Sequence, residues 1–100
     1  MDQIFRALAD PSRRQLLDQL YRNNGQTLTQ LCRHLDMTRQ AVTKHLAVLG
    51  QGKLVVPLWS GREKRHYFNP APFLQTSKWE GKFVEAGRRA LIDLERALEQ

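Results

Sequence analysis

Thr38-Arg39-Gln40-Ala41-Val42-Thr43-Lys44-His45-Leu46-Ala47-Val48-Leu49 is the stretch on which the fold turns. Val42, His45, Leu46 and Leu49 stand at i, i+3, i+4 and i+7, the spacing of an inward-facing helical stripe. Thr38 sits where an N-cap is expected. Arg39, Gln40, Thr43, Lys44 and Ala47 fall on the opposite face, which carries no acid. Just upstream, Thr27 and Gln30 have capping-box spacing and open a shorter helix with Leu28, Leu31 and Leu35 inward. Leu35-Asp36-Met37-Thr38 leaves only a short connection, and Asp36 is of a type that tolerates a left-handed backbone. Two helices joined so tightly form a helix-turn-helix unit, here about 27–49.

Downstream, Gly50 and Gly52 are expected to end the long helix. Leu54-Val55-Val56-Pro57-Leu58-Trp59 reads as a strand, Ser60-Gly61-Arg62-Glu63 as a turn, and Lys64-Arg65-His66-Tyr67-Phe68 as the partner strand. This hairpin spans about 54–68. Pro57 has no N–H to donate, which puts the first strand at a sheet edge. Asn69-Pro70 stops the second strand, and a closing helix, either one long helix or a short one leading into a longer one, is expected over about 73–98, with Phe83, Gly87, Ala90, Leu91, Leu94 and Leu98 at helical spacing. Upstream, a short helix begins at Asp2 and carries Ile4, Phe5 and Leu8 on one face. Asp10 is the expected N-cap of a second helix with Pro11 at its first position. That helix holds Leu16, Leu17 and Leu20 at core spacing and stops at Asn23-Asn24-Gly25. The fold class is mainly α with a small β-hairpin, laid over 1–100 as one unit.

A chain of 100 residues with 41% hydrophobic content has enough apolar surface for one core. No apolar run approaches the roughly 20 residues needed to span a bilayer, and the first residues lack the pattern of a signal peptide. Cys32 is the single cysteine, so no intrachain disulfide framework is expected and a reducing cytoplasm is the natural home. The net charge of +6 is unevenly placed. Cations and acids nearly balance before residue 38 and after residue 69. Between them, Arg39, Lys44, Lys53, Arg62, Lys64 and Arg65 face Glu63 alone. A clustered basic field suits a polyanion, because each neutralised phosphate releases counterions.

The outer face of the 38–49 helix matches major-groove chemistry. Arginine pairs bidentately with guanine and glutamine with adenine, while alanine or a threonine methyl fits a thymine methyl. Such contacts come from the N-terminal part of a recognition helix, where Arg39, Gln40, Thr43 and Lys44 stand. Ser60, Gly61, Arg62, Lys64 and Arg65 at the hairpin tip offer donors suited to phosphates or a minor groove. A basic hairpin directly after such a helix reads as a wing. The candidate DNA-contacting set is therefore Thr38, Arg39, Gln40, Thr43, Lys44, His45, Arg62, Lys64 and Arg65.

Leu8-Ala9-Asp10-Pro11-Ser12-Arg13-Arg14, Leu28-Thr29-Gln30-Leu31 and Ala41-Val42-Thr43-Lys44-His45-Leu46-Ala47-Val48-Leu49 together resemble the ArsR/SmtB family of winged helix-turn-helix regulators. The likeness runs over nearly the whole chain. It implies a homodimer that binds palindromic double-stranded DNA operators, usually as a repressor, in the cytoplasm on the nucleoid. It also implies DNA contacts from the start of the fourth helix and from the wing. The tail from Asn69-Pro70 through Trp79 looks like a branch that senses no metal, although Ala86-Gly87 stands where that branch tends to carry bulky aromatics.

Metal sensing fits poorly. The family's thiolate site needs two or more cysteines near the third helix, and its other common site needs histidines on the last helix, which has none. His34, His45 and His66 share no i, i+4 spacing. Cys32 is expected as a small buried hydrophobe among Leu28, Leu31 and Leu35, with a redox role as the alternative. No phosphate loop or nucleophile motif points to an enzyme, and no cofactor is expected. The rival reading is a winged-helix module that binds protein, which would have lost the basic face. The apolar surplus at Ile4, Phe5, Leu8, Trp79, Phe83, Ala90, Leu91 and Leu94 is expected to form a dimer seam between terminal helices.

Overall fold

The computed structural model describes residues 2–74, Ile92 and residues 96–97. In chain order the elements are α1 (Asp2–Leu8), α2 (Pro11–Arg22), β1 (Gln26–Thr27), α3 (Leu28–His34), α4 (Arg39–Gln51), β2 (Val55–Ser60), β3 (Glu63–Phe68) and α5 (Ala71–Leu74). The fold is mostly helical with a small antiparallel sheet, as expected. The sheet has three strands rather than two, in the order β1-β3-β2.

The Asp10-Pro11-Ser12-Arg13-Arg14 segment forms a corner. The Asp10 carboxylate accepts from the amides of Ser12 at 2.7 Å and Arg13 at 3.4 Å, capping α2. The two arginines turn back on the open C-terminal carbonyls of α1. Arg13 Nε donates to the Ala7 carbonyl at 2.8 Å and its Nη2 to that of Arg6 at 2.9 Å, while Arg14 Nη1 reaches Leu8 at 2.6 Å. Carbonyls that a helix end leaves orphaned are thus satisfied by cations, which the helix dipole also favours there.

The capping box of α3 forms as the spacing predicts: Thr27 N donates to Gln30 Oε1 at 2.9 Å, and Gln30 N to Thr27 Oγ1 at 3.2 Å. Thr38 caps α4 by accepting from Ala41 N at 3.1 Å. Helix α4 runs two residues past the expected end at Leu49, so Gly50 lies inside it. Its end is a Schellman motif: Lys53 N donates to Gly50 O and Leu54 N to Leu49 O, both at 3.0 Å. The left-handed position in that motif belongs to Lys53, with φ 60°. Asp36, expected to tolerate that conformation, does not use it; Leu35 leaves α3 in extended backbone at φ −116° and ψ 137°.

Leu16 and Leu20 from α2, Leu31 from α3, Val42 and Leu49 from α4, and Leu54 are fully buried, with Ala7, Leu17 and Val55 beside them. Leu8, Leu28, Cys32, Leu35 and Leu46 pack partly buried around this centre. Each leucine buried at this depth stabilises the fold by roughly 1.5–3 kcal/mol.

Strand β2 lies at the edge, so Pro57 leaves no ladder bond unmade. It pairs with β3 in a register that sets Pro57 opposite His66 and Trp59 opposite Lys64. Ser60 pairs with Glu63, leaving Gly61-Arg62 as a two-residue loop. Gly61 has φ 63°, the positive value that a type II′ turn requires at its first central residue.

Of the helix expected over 73–98, residues 73–74 belong to α5 and Ile92 and 96–97 have helical backbone, and the rest of that span lies outside the described residues. Trp79, Phe83, Ala90, Leu91 and Leu94 lie outside the described residues, as does the side chain of Phe5. Of the other expected seam residues, Ile4 is half-buried and Leu8 packs on the core.

Candidate nucleic-acid interface

The Thr38 cap fixes where α4 begins, and the buried pair Val42 and Leu49 fixes which way it faces. Arg39, Gln40, Thr43, Lys44 and Ala47 are accordingly all exposed. Arg39 Nη1 donates to Thr29 Oγ1 at 3.3 Å, tying the first turn of α4 to the first turn of α3. Thr43 Oγ1 donates to the Arg39 carbonyl at 2.9 Å, which orients its side chain along the helix.

His45 is half-buried, on the side of α4 that faces the Asp10 corner. The Asp10 carboxyl is held below its ordinary value first by the Ser12 amide, then by the Arg13 amide and charge, with a smaller pull from His45.

Arg62 and Lys64 stand exposed on the wing. Between the wing and the α3–α4 pair runs an open groove of about 830 Å³. Arg39 and Thr43 from α4 share its wall with Arg62 and Lys64 from the wing, whereas Gln40 and Lys44 lie off it.

Arg65, grouped with those two cations from the sequence, is placed differently. Its side chain is only 34% exposed, its Nη1 donates to the Gly25 carbonyl at 3.0 Å, and its Nη2 lies 3.5 Å from Glu63. It ties the wing to the loop ahead of α3.

That loop holds the residues the sequence reading missed. Gln26 is 2% exposed, and its Nε2 donates to the carbonyls of Asn23 at 2.7 Å and Gln19 at 3.2 Å, closing the end of α2. Asn24 Oδ1 accepts from Phe68 N at 2.8 Å. Gly25 has φ 79°, and a Cβ there would meet the Tyr67 ring at 3.0 Å, so both backbone and space demand glycine.

His66 is 6% exposed with Nδ1 3.0 Å from the Gln26 carbonyl. Burial, helped by the Lys64 charge, pushes its pKa below 6.5 against the opposing pull of that carbonyl. The ring is therefore neutral at pH 7, and Nδ1 must carry the proton because a carbonyl can only accept. These polar ties set the wing's angle to α4. No local sequence pattern marks the ones that reach the wing, since those from Gly25, Gln26 and Asn24 to Arg65, His66 and Phe68 join segments about forty residues apart.

Cys32 is half-buried against the core. Among the described residues no three His, Cys, Asp or Glu gather as a metal site would need, and no helix is long and apolar enough to cross a membrane.

A family model described as a helix-turn-helix domain matches residues 8–57, from the end of α1 into β2. The HTH-type transcriptional regulator YuzN of Bacillus subtilis (strain 168) is 40% identical over 77 residues, covering 71% of this chain and 84% of YuzN. An ArsR-like transcriptional regulator from Rhodococcus sp. RHA1 superposes with a TM-score of 0.72 at 30% identity, over 98% of this chain and 89% of its own. The chain belongs to the ArsR family of helix-turn-helix transcriptional regulators. A more distant relative, the transcriptional repressor SdpR of Bacillus subtilis (strain 168), is 24% identical over 87 residues, 87% of this chain and 96% of SdpR. Family members regulate transcription through DNA and are not enzymes, in line with the sequence reading. In this ArsR-family protein the matched region takes in α2, α3, α4 and the start of β2, and β2–β3 forms the hairpin after α4.

Proposed function

We propose that this ArsR-family regulator is a repressor that binds a palindromic operator as a homodimer. In this reading α4 reads base edges while the wing holds the backbone. The observation that carries it is the exposed, acid-free face of α4, set opposite the buried Val42 and Leu49 and beside the exposed cations of the wing. Arg39 and Gln40 open the helix and meet bases, Thr43 and Lys44 follow one turn on, and Thr38 and His45 flank them near phosphates. Arg62 and Lys64 neutralise phosphates, and Arg65 acts by positioning the wing. The repressor assignment is supported by likeness to SdpR. The single half-buried Cys32 supports a regulator whose DNA affinity no metal controls, working in the cytoplasm on the nucleoid.

The test compares Gln40→Ala with Lys64→Ala on a selected duplex and a scrambled one over a salt series. Losing a bidentate base contact costs about 1–3 kcal/mol of discrimination. Gln40→Ala is therefore expected to relax the preferred base at one position in each half-site. Lys64→Ala is expected to weaken both duplexes alike and lower the salt slope by about 1. If Gln40→Ala weakens both duplexes equally while Lys64→Ala alone changes sequence preference, the roles are inverted. If neither variant matters, the basic face is only a solvated surface.

A further inference from the structure

Trp59, near the tip of an edge strand, is 69% exposed, more than the other exposed large hydrophobics among the described residues, Tyr21 at 53% and Ile92 at 42%. An indole presents a large, rigid apolar face with one polar N–H, which suits a partner offering apolar faces and polar edges together. Its position says which partner. Trp59 lines the groove between α4 and the wing, on the wall that faces α4, and its cross-strand neighbour is Lys64. The same groove carries Arg33, Arg39, Arg62 and Lys64 against the single acid Glu63, which lies 3.5 Å from Arg65. The groove thus combines positive charge with one large flat apolar surface.

Duplex DNA supplies the complement. A helix seated in a major groove and a hairpin reaching the adjoining minor groove must straddle the strand between them. That strand offers charged phosphates along its rim and the C–H faces of deoxyriboses between them. We propose that Trp59 is a DNA-contacting residue whose indole packs on the deoxyribose face of the strand held between α4 and the wing, while Lys64 and Arg62 meet its phosphates. The inference rests on the reading of α4 as the major-groove helix. It adds an apolar backbone contact that raises affinity without reading sequence and without releasing counterions. This separates Trp59 from every cation in the groove, because removal of a neutral side chain leaves the salt slope alone.

The experiment measures Trp59→Ala, Trp59→Phe and Lys64→Ala against wild type, on a duplex recovered from a random library by the wild-type protein and on a scrambled duplex, over a salt series. Trp59→Ala is expected to weaken both duplexes by on the order of tenfold with an unchanged salt slope. Trp59→Phe is expected to keep most of the affinity, and Lys64→Ala to lower the slope. Trp59 is exposed, so thermal unfolding of Trp59→Ala should match wild type. In a Trp79→Phe background Trp59 is the sole tryptophan, and its emission should shift when duplex is added. Trp59→Ala binding as tightly as wild type, or losing salt slope as Lys64→Ala does, overturns the proposal. An emission shift that follows protein concentration without DNA overturns it too, by making the wing face a protein contact. Failure of the wild type to bind any duplex overturns the α4 reading itself and this inference with it.

Discussion

His66 stands at the root of the wing, its Nδ1 donating to the Gln26 carbonyl while its own carbonyl accepts from Gly25 N, each at 3.0 Å. Its pKa is lowered in the folded state, so between the ordinary 6.5 and that lower value the unfolded chain binds more protons. Stability contributed by the neutral ring is therefore present above 6.5 and lost as pH falls through this window. Asp10, also lowered, adds a second loss further into acid, beginning below its ordinary 3.8. Denaturant midpoints of wild type and His66→Gln, compared above and below pH 6.5, should converge as pH falls. A gap that stays constant across the window would show that the ring's protonation is not linked to folding. Arg65 makes the same point about position over type. Its charge was legible in the sequence as one more cation of the hairpin, but its bond to Gly25 was not, because the partner is forty residues away.

At the scale of elements, what was legible was local. Asp10, Thr27 with Gln30, and Thr38 act within one turn of themselves, and all four cap as their spacing predicts. Thr38→Ala is expected to cost about 1 kcal/mol of stability, read by denaturant unfolding, because an orphan N–H of α4 loses its acceptor. Strand β1 was not legible, since two residues carry no periodicity and become a strand only by pairing with β3 at Arg65 and His66. The end of α4 was misplaced for a different reason. Two glycines flank it, yet the left-handed residue is Lys53, because Leu54 must reach the core beside Leu49 and the Schellman register then puts position 53 in that conformation. A non-glycine residue there is strained by about 1–2 kcal/mol. Lys53→Gly should therefore stabilise the protein by up to about 1 kcal/mol in thermal or denaturant unfolding, glycine's greater freedom when unfolded offsetting part of the strain. A destabilised Lys53→Gly would mean that the lysine side chain contributes more than its backbone strain costs.

At the scale of the whole molecule, the helical core and the wing are held at a set angle by Gln26, Asn24, Gly25, Arg65 and His66. This angle decides whether α4 and the wing can engage one duplex together. The proposed homodimer doubles that unit, placing two copies of α4 in major grooves about one helical turn, or a multiple of it, apart. Leu91→Glu is expected to weaken or dissociate the dimer in analytical ultracentrifugation, and a wild-type monomer at micromolar concentration would contradict the dimer reading. Whether α4 reads sequence from its exposed face is decided by selecting bound sites from a random duplex library with wild type and Gln40→Ala in parallel. Wild type is expected to enrich an inverted repeat, and Gln40→Ala the same repeat with one position per half-site relaxed. Enrichment of no motif by the wild type, or of identical motifs by both proteins, would contradict sequence reading by α4.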